Sequence, residues 1–198
     1  MKRLFDFLFS IFLLIILSPI LLMIAILIRL ESPGPALFKQ ERVGEDEERF
    51  ICYKFRTMQH DTPDIATNKF INRKEYLTTA GYFLRKYSLD ELPQLFNIIK
   101  GNMSIVGPRP VIPEEEELVS KRSRAGVYSL KPGVTGWAQI NGRDHVNIDE
   151  KVELDSYYLE KQSFFFDIKI ILKTALCVIK REGILEHSSG VEQQEISK

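Results

Sequence analysis

The chain has 198 residues, room for one domain of ordinary size plus a membrane segment. Lys+Arg and Asp+Glu both number 27, so the formal net charge is zero and no bulk basic charge points to nucleic acid. Two cysteines (Cys52, Cys177) and three histidines (His60, His145, His187) form neither a disulfide framework nor a zinc-ligand spacing, and neither a Walker phosphate loop nor a dinucleotide fingerprint is present.

The first element is apolar. Of the 22 residues from 7 to 28, only Ser10, Ser18 and Pro19 fall outside the apolar set. A straight helix of that length measures about 33 Å, against a hydrocarbon core of about 30 Å. A signal peptide fits less well, because no small-residue cleavage site follows the run. Ser18-Pro19 lies at its middle, where proline removes a backbone donor and the serine hydroxyl can bond a carbonyl four residues back. Both flanks are basic: Lys2 and Arg3 before, Arg29, Lys39 and Arg42 after. The positive-inside rule then gives no direction for a spanning helix. Two readings stay open on these residues: a plain spanning helix with a mild kink, and a broken helix that enters and leaves by the cytoplasmic face.

Pro33-Gly34-Pro35 reads as a turn, and residues 36–42 and 49–58, rich in β-formers, read as a hairpin. Residues 59–74 are polar and read as an irregular loop. Helices are predicted over 77–87 and over 90–100, the second ending at Gly101. Residues 113–124 read as an exposed helix with acidic residues at its start and Lys121, Arg122 and Arg124 at its end. That charge run is explained by a solvated face and is assigned no chemistry. Residues 131–143, punctuated by Pro132, Gly133, Gly136 and Gly142, read as loop or short strand. Residues 163–181 are helical in period, with a stripe of Lys169, Lys173 and Lys180 beside large aromatics. That pattern suits a helix in the membrane interface, or a core helix with a solvated face. The tail after Gly183 is polar.

Ser88-Leu89-Asp90-Glu91-Leu92-Pro93-Gln94 carries the most chemical information. Ser88 and Glu91 have capping-box spacing, and Asp90 as the N-cap would place Pro93 in the first turn, where it is tolerated. A structural cap explains both carboxylates. The same geometry also offers two carboxylates that approach one phosphate from two sides. A carboxylate that meets a phosphate needs a metal or arginines to neutralise the like charge. Basic residues stand in nearby motifs: Lys54 and Arg56 in Tyr-Lys-Phe-Arg-Thr-Met, Arg85, Arg109 in Gly-Pro-Arg-Pro, and Arg143 in Asn-Gly-Arg. Taken singly, each is an ordinary surface charge; Arg109 and Arg143 stand out because glycine and proline loops hold them in apolar surroundings.

Taken in order, these stretches resemble the monotopic phosphoglycosyl transferases, the bacterial sugar transferase family that starts capsule, exopolysaccharide and glycoprotein glycan assembly. The resemblance runs from Lys2 to Gly183. It includes Lys-Arg-Leu-Phe-Asp, Leu-Ser-Pro in the anchor, Tyr-Lys-Phe-Arg-Thr-Met, Ser-Leu-Asp-Glu-Leu-Pro-Gln-Leu-Phe-Asn, and Lys-Gly-Asn-Met-Ser-Ile-Val-Gly-Pro-Arg-Pro. It continues through Lys-Pro-Gly-Val-Thr-Gly-Trp-Ala-Gln-Ile-Asn-Gly-Arg and Glu-Leu-Asp-Ser-Tyr-Tyr. Glu-Ser-Pro-Gly-Pro and Asp-Thr-Pro-Asp-Ile-Ala-Thr-Asn resemble the short capsule-type enzymes, and the length matches the minimal catalytic unit without the extra membrane domain of larger relatives.

The resemblance implies a mostly helical α+β fold with a β-hairpin, amphipathic interfacial helices and a re-entrant membrane helix (1–30) broken at Ser18-Pro19. A catalytic domain (31–183) on the cytoplasmic face of the inner membrane and a polar tail (184–198) follow. It implies a ping-pong reaction with Mg²⁺ (Mn²⁺ is also compatible). Asp90 takes a phosphosugar from a UDP-sugar, UMP leaves, and polyprenyl phosphate collects the phosphosugar. Asp90 is then nucleophile and metal ligand and Glu91 its partner. The substrate-binding set on the quoted motifs is Lys54, Arg56, Arg85, Arg109, Gln139, Arg143 and Asp155. Partners are the UDP-sugar, the lipid phosphate and membrane lipid; later glycan-assembly enzymes or a second copy of the chain are compatible, and nucleic acid is not expected. Competing readings are a Leloir-type glycosyltransferase that releases UDP, a phosphohydrolase, and a non-enzymatic membrane adaptor. No residue is assigned to recognition of a particular sugar.

Overall fold

The computed structural model describes residues 2–59, 62, 76–141 and 146–180, so Arg143, most of the loop expected at 59–74 and the tail lie outside the described residues. Its first helix, α1, runs uninterrupted from Lys2 to Glu31 with Pro19 inside it. Proline has no N–H for the carbonyl of Ile15, four residues back. The Ser18 hydroxyl, three residues on from Ile15, donates to that carbonyl at 2.8 Å. The serine thus satisfies the acceptor that the proline orphans, and the expected break is absent as an interruption of the helix.

One flank of α1 packs on the rest of the molecule. Phe5, Phe9, Leu13 and Leu14 lie on the main core, and Ile24 and Ile28 on a second cluster with Phe55 and Leu84. The other flank, including Leu8, Phe12, Ile16, Met23 and Leu27, is exposed. Polar bonds hold both ends. Lys2 donates to Asp167 at 2.6 Å and to the Val106 carbonyl at 3.2 Å, and Asp6 accepts from Ser104 at 2.7 Å. At the far end Arg56 donates to the carbonyls of Pro33 (2.7 Å), Ser32 (2.8 Å) and Ile28 (3.3 Å).

Strands β1 (Leu37–Val43) and β2 (Arg49–Phe55) form the expected antiparallel hairpin, in register from Leu37↔Phe55 to Val43↔Arg49. On β2, Phe50 and Cys52 turn into the core and Ile51 turns out, the alternation a half-buried strand requires. Helix α2 (Thr79–Lys86) starts at Thr78, whose side chain accepts from the Gly81 amide. A β carbon on Gly81 would lie 1.9 Å from the Thr57 carbonyl oxygen, so only glycine lets α2 approach the end of the hairpin this closely.

The single helix expected over 90–100 is two pieces, a 3-10 turn at Leu89–Glu91 and helix α3 (Gln94–Lys100), closed by left-handed Gly101. Ser88 is itself left-handed (φ 54°) and makes no side-chain cap, so the Ser88/Glu91 capping box does not form. Asn97 on α3 is fully buried; its side chain accepts from the Tyr53 amide at 3.0 Å and donates to the Ile51 carbonyl at 2.6 Å, fastening α3 to β2.

Beyond Gly101, β3 (Ser104–Val106) pairs in parallel with β4 (Gly133–Thr135). A β carbon on Gly107 would stand 2.2 Å from the Lys131 oxygen, so the chain that leads into Pro108-Arg109-Pro110 is pressed against β4 with no room for a side chain. Helix α4 is Glu116–Arg124, and α5 (Trp137–Asn141) replaces part of the loop expected over 131–143. Helix α6 (Ile148–Lys161) was not expected, although Asn147 and Glu150 form a capping box at its start. Helix α7 (Phe164–Lys180) buries Asp167 and Ile170 on one face and leaves Phe165 85% exposed on the other.

Candidate active site

Four segments converge on the Asp90–Glu91 turn. Strand β2 carries Lys54 next to its last residue, the chain after it carries Thr57, α2 carries Arg85, and the loop after β3 carries Arg109. Lys54 donates to Glu91 Oε1 at 2.8 Å, and Arg109 donates to the same oxygen at 2.7 Å and to Oε2 at 3.3 Å. The guanidinium therefore engages both carboxylate oxygens, the two-toothed grip that lysine cannot make. Arg85 donates through Nε to Thr57 Oγ1 at 2.9 Å.

The two neighbouring carboxylates are pushed in opposite directions. Burial tends to raise the Glu91 pKa, but the charges and hydrogen bonds of Arg109 and Lys54 outweigh it and hold the group well below the usual carboxylate range. Asp90 is raised, first by burial and then by the negative charge of Glu91, with Lys54, Arg85 and Arg109 only partly offsetting both. Among the described residues no side chain or amide donates a hydrogen bond to the Asp90 carboxylate. Such a group is a basic acceptor beside a fixed negative charge and a set of cations.

The loop that presents Arg109 is braced from behind. Arg122 donates to the Arg109 carbonyl at 2.8 Å and is paired to Asp155 through bonds of 2.6 and 2.9 Å, with both side chains 2% exposed. Arg42 donates to the Pro110 carbonyl at 3.3 Å, and the Val43 amide donates to the Val111 carbonyl at 3.0 Å. Burial raises the Asp155 pKa despite the Arg122 charge beside it.

The expected site residues thus divide. Asp90, Glu91, Lys54, Arg85 and Arg109 gather at one place. Arg56 is buried at the C-terminal end of α1 and Asp155 is buried behind the Arg109 loop, so in this structure neither faces the cluster. Gln139 donates to the Val134 carbonyl at 3.3 Å, and its buried Oε1 accepts no hydrogen bond among the described residues. Arg143 lies outside the described residues. Reading α4 as a solvated helix missed Arg122, which is 1% exposed. A signal was present: Leu118 and Arg122 are four residues apart and share the face that turns inward.

Comparison with known proteins places the chain in a family. A sequence profile of the family described as bacterial sugar transferase matches residues 1–181. The uncharacterized sugar transferase EpsL of Bacillus subtilis is 44% identical over 184 residues, covering 93% of this chain and 90% of EpsL. The exopolysaccharide production protein ExoY of Rhizobium meliloti is 39% identical over 199 residues, with 92% and 87% covered. The undecaprenyl-phosphate galactose phosphotransferase of Salmonella typhimurium is 40% identical over 199 residues; 92% of this chain is covered but only 41% of that longer protein. A match over residues 1–181, which include those gathered around Asp90, means that the chain belongs to the bacterial sugar transferase family.

Proposed function

We propose that the protein is a phosphoglycosyl transferase that moves a sugar-1-phosphate from a UDP-sugar to polyprenyl phosphate at the cytoplasmic face of the membrane. The observation that carries the reading is the pair Asp90–Glu91, one carboxylate raised in pKa and without a hydrogen-bond donor among the described residues, the other clamped by Lys54 and Arg109. Relatives named for phosphotransfer to undecaprenyl phosphate support it, among them the Salmonella galactose enzyme and a glucose-1-phosphate transferase of Escherichia coli.

In the first half-reaction an oxygen of Asp90 bonds to the sugar-bearing phosphorus of the donor. The phosphorus–oxygen bond to UMP breaks, leaving UMP and an aspartyl phosphosugar. In the second, a phosphate oxygen of the lipid bonds to that phosphorus, the bond to Asp90 breaks, and the carboxylate is restored with release of polyprenyl-diphospho-sugar. Glu91 stays ionised and keeps Lys54 and Arg109 beside the reacting phosphate, where Arg109 can turn its exposed edge to the diphosphate. Mg²⁺ or Mn²⁺ takes oxygen donors, so the Asp90 carboxylate would be its protein ligand and phosphate oxygens would complete the shell. When bound, it supplies positive charge between two negatively charged reactants.

The contacts of α1 support a segment that enters and leaves by one membrane face. Its two ends are bonded to the same domain, and its outer flank is apolar along its length. Purified protein with Mg²⁺, polyprenyl phosphate and a panel of UDP-sugars is the direct test. The expected result is UMP release that requires lipid phosphate for steady turnover and stops in EDTA. Release of UDP would mean a Leloir-type transfer, UMP release sustained by water a phosphohydrolase, and full turnover in EDTA a metal-free mechanism.

A further inference from the structure

Helix α7 presents a composite surface that the transfer chemistry does not use. At about 100° per residue, Phe165, Leu172 and Leu176 fall within about 40° of one another, and Lys169 and Lys173 take the adjoining sector toward the protein. Phe165, Leu172 and Leu176 are 85%, 61% and 55% exposed. The Phe164 ring meets the Phe5 ring of α1 edge-on at 5.4 Å, so the start of α7 lies against the start of the membrane segment.

The two lysines are not scattered surface charges. Like charges four residues apart on a helix repel. Here both ammonium groups converge on one indole: Lys169 Nζ lies 5.9 Å and Lys173 Nζ 5.4 Å from the Trp137 ring centre. That ring is held by Phe166 at 4.9 Å and Tyr157 at 5.5 Å. Among the described residues neither lysine makes an ion pair, whereas Lys2, Lys54, Lys121 and Lys131 each meet a carboxylate. The ring quadrupole attracts both cations and leaves their charge to be neutralised from solution.

We propose that Trp137, Lys169 and Lys173 bind the headgroup of an anionic phospholipid. The acyl chains run along Phe165, Leu172 and Leu176 while the lysine stems reach past that stripe and hold the ammonium groups at headgroup level. A headgroup with net negative charge complements two adjacent cations that make no ion pair among the described residues. A zwitterionic headgroup brings a third cation to the same place and gains little. The inference rests on the membrane-face placement proposed above, and not on the transfer reaction.

The chain has a single tryptophan, so its emission reports this site alone. Full-length protein in neutral detergent is titrated with short-chain phosphatidylglycerol, phosphatidylcholine of the same chain length, and inorganic phosphate. The expected result is a saturable change in Trp137 emission with phosphatidylglycerol, weakened by salt. A Lys169→Gln/Lys173→Gln variant with an unchanged melting curve loses that affinity by tenfold or more, since each lysine near an anionic surface contributes about fivefold. The Lys169→Arg/Lys173→Arg variant retains it, and serves with the salt titration if the glutamine variant does not fold. An equal response to phosphatidylcholine, an equally tight response to free phosphate, or an unaltered titration in the glutamine variant each overturns the proposal. The membrane placement of α1 is read separately by cysteine labelling, so the two can fail independently.

Discussion

Asp90 and Glu91 are adjacent in sequence, yet the environment assigns them different work. Glu91 is neutralised by two cations and Asp90 is not. The Asp90 carboxylate accepts no hydrogen bond among the described residues, and an amide in its place cannot form an acyl phosphate. Asp90→Asn is therefore expected to keep its fold and to lose nearly all turnover. With a UDP-sugar labelled in the β-phosphate and no lipid, label should stay on denatured wild-type protein and be missing from the variant. Turnover by Asp90→Asn near the parent rate would reduce Asp90 to a structural residue. The raised pKa of Asp90 adds a pH dependence with a definite sign. Under the attack proposed for Asp90, the reactive carboxylate is lost as pH falls through that raised value, so the acid limb of the single-turnover rate should lie above the ordinary aspartate value of about 3.9. A limb at or below that value would show that Asp90 ionisation does not control the step. Arg109 tests the two-toothed grip: Arg109→Ala should cost about ten- to a hundredfold in kcat/KM, the worth of a charged hydrogen bond, and Arg109→Lys should fall between. Equal rates for all three would remove Arg109 from the site.

At the scale of elements, the site is held by connections that cross between them. Asn97 fastens α3 to β2, Gly81 lets α2 close on Thr57, and the pair of Arg122 on α4 with Asp155 on α6 supports the Arg109 carbonyl. Removing one member of a buried ion pair leaves the other uncompensated, which costs about 3–5 kcal/mol. Arg122→Met and Asp155→Leu should each lose about that much by urea denaturation. The double variant should recover much of it, because an apolar pair of similar size leaves no buried charge. If both single variants unfold within about 1 kcal/mol of the parent, the pair does not brace the loop as described.

Over the whole molecule, the direction of α1 governs which solvent each part meets. With Lys2 bonded to Asp167 and Arg56 bonded around Ile28, residue 1 and the catalytic domain are expected on one side of the membrane. A cysteine placed at the N-terminus should react with an impermeant reagent only from the cytoplasmic side; reaction from outside would establish a spanning helix. Replacing Ser18-Pro19 by two leucines restores the missing amide and should favour a straight span with reduced activity. Sequence alone determined what depends on local chemistry. The apolar run, the hairpin with its period of two, the Gly101 stop and the ordered motifs around Asp90, Glu91, Lys54, Arg85 and Arg109 were all legible, because each is written in residue type and short spacing. Tertiary structure alone decided which charges gather at the Asp90–Glu91 turn and which are internal. Arg56, Arg122 and Asp155 look like their exposed neighbours in sequence, and only packing shows that Arg56 binds the carbonyls ending α1 while the other two neutralise each other behind Arg109. A charge acquires its role from the partners that folding brings to it, and those partners lie 24 residues from Arg56 at Ser32 and 33 residues apart for Arg122 and Asp155.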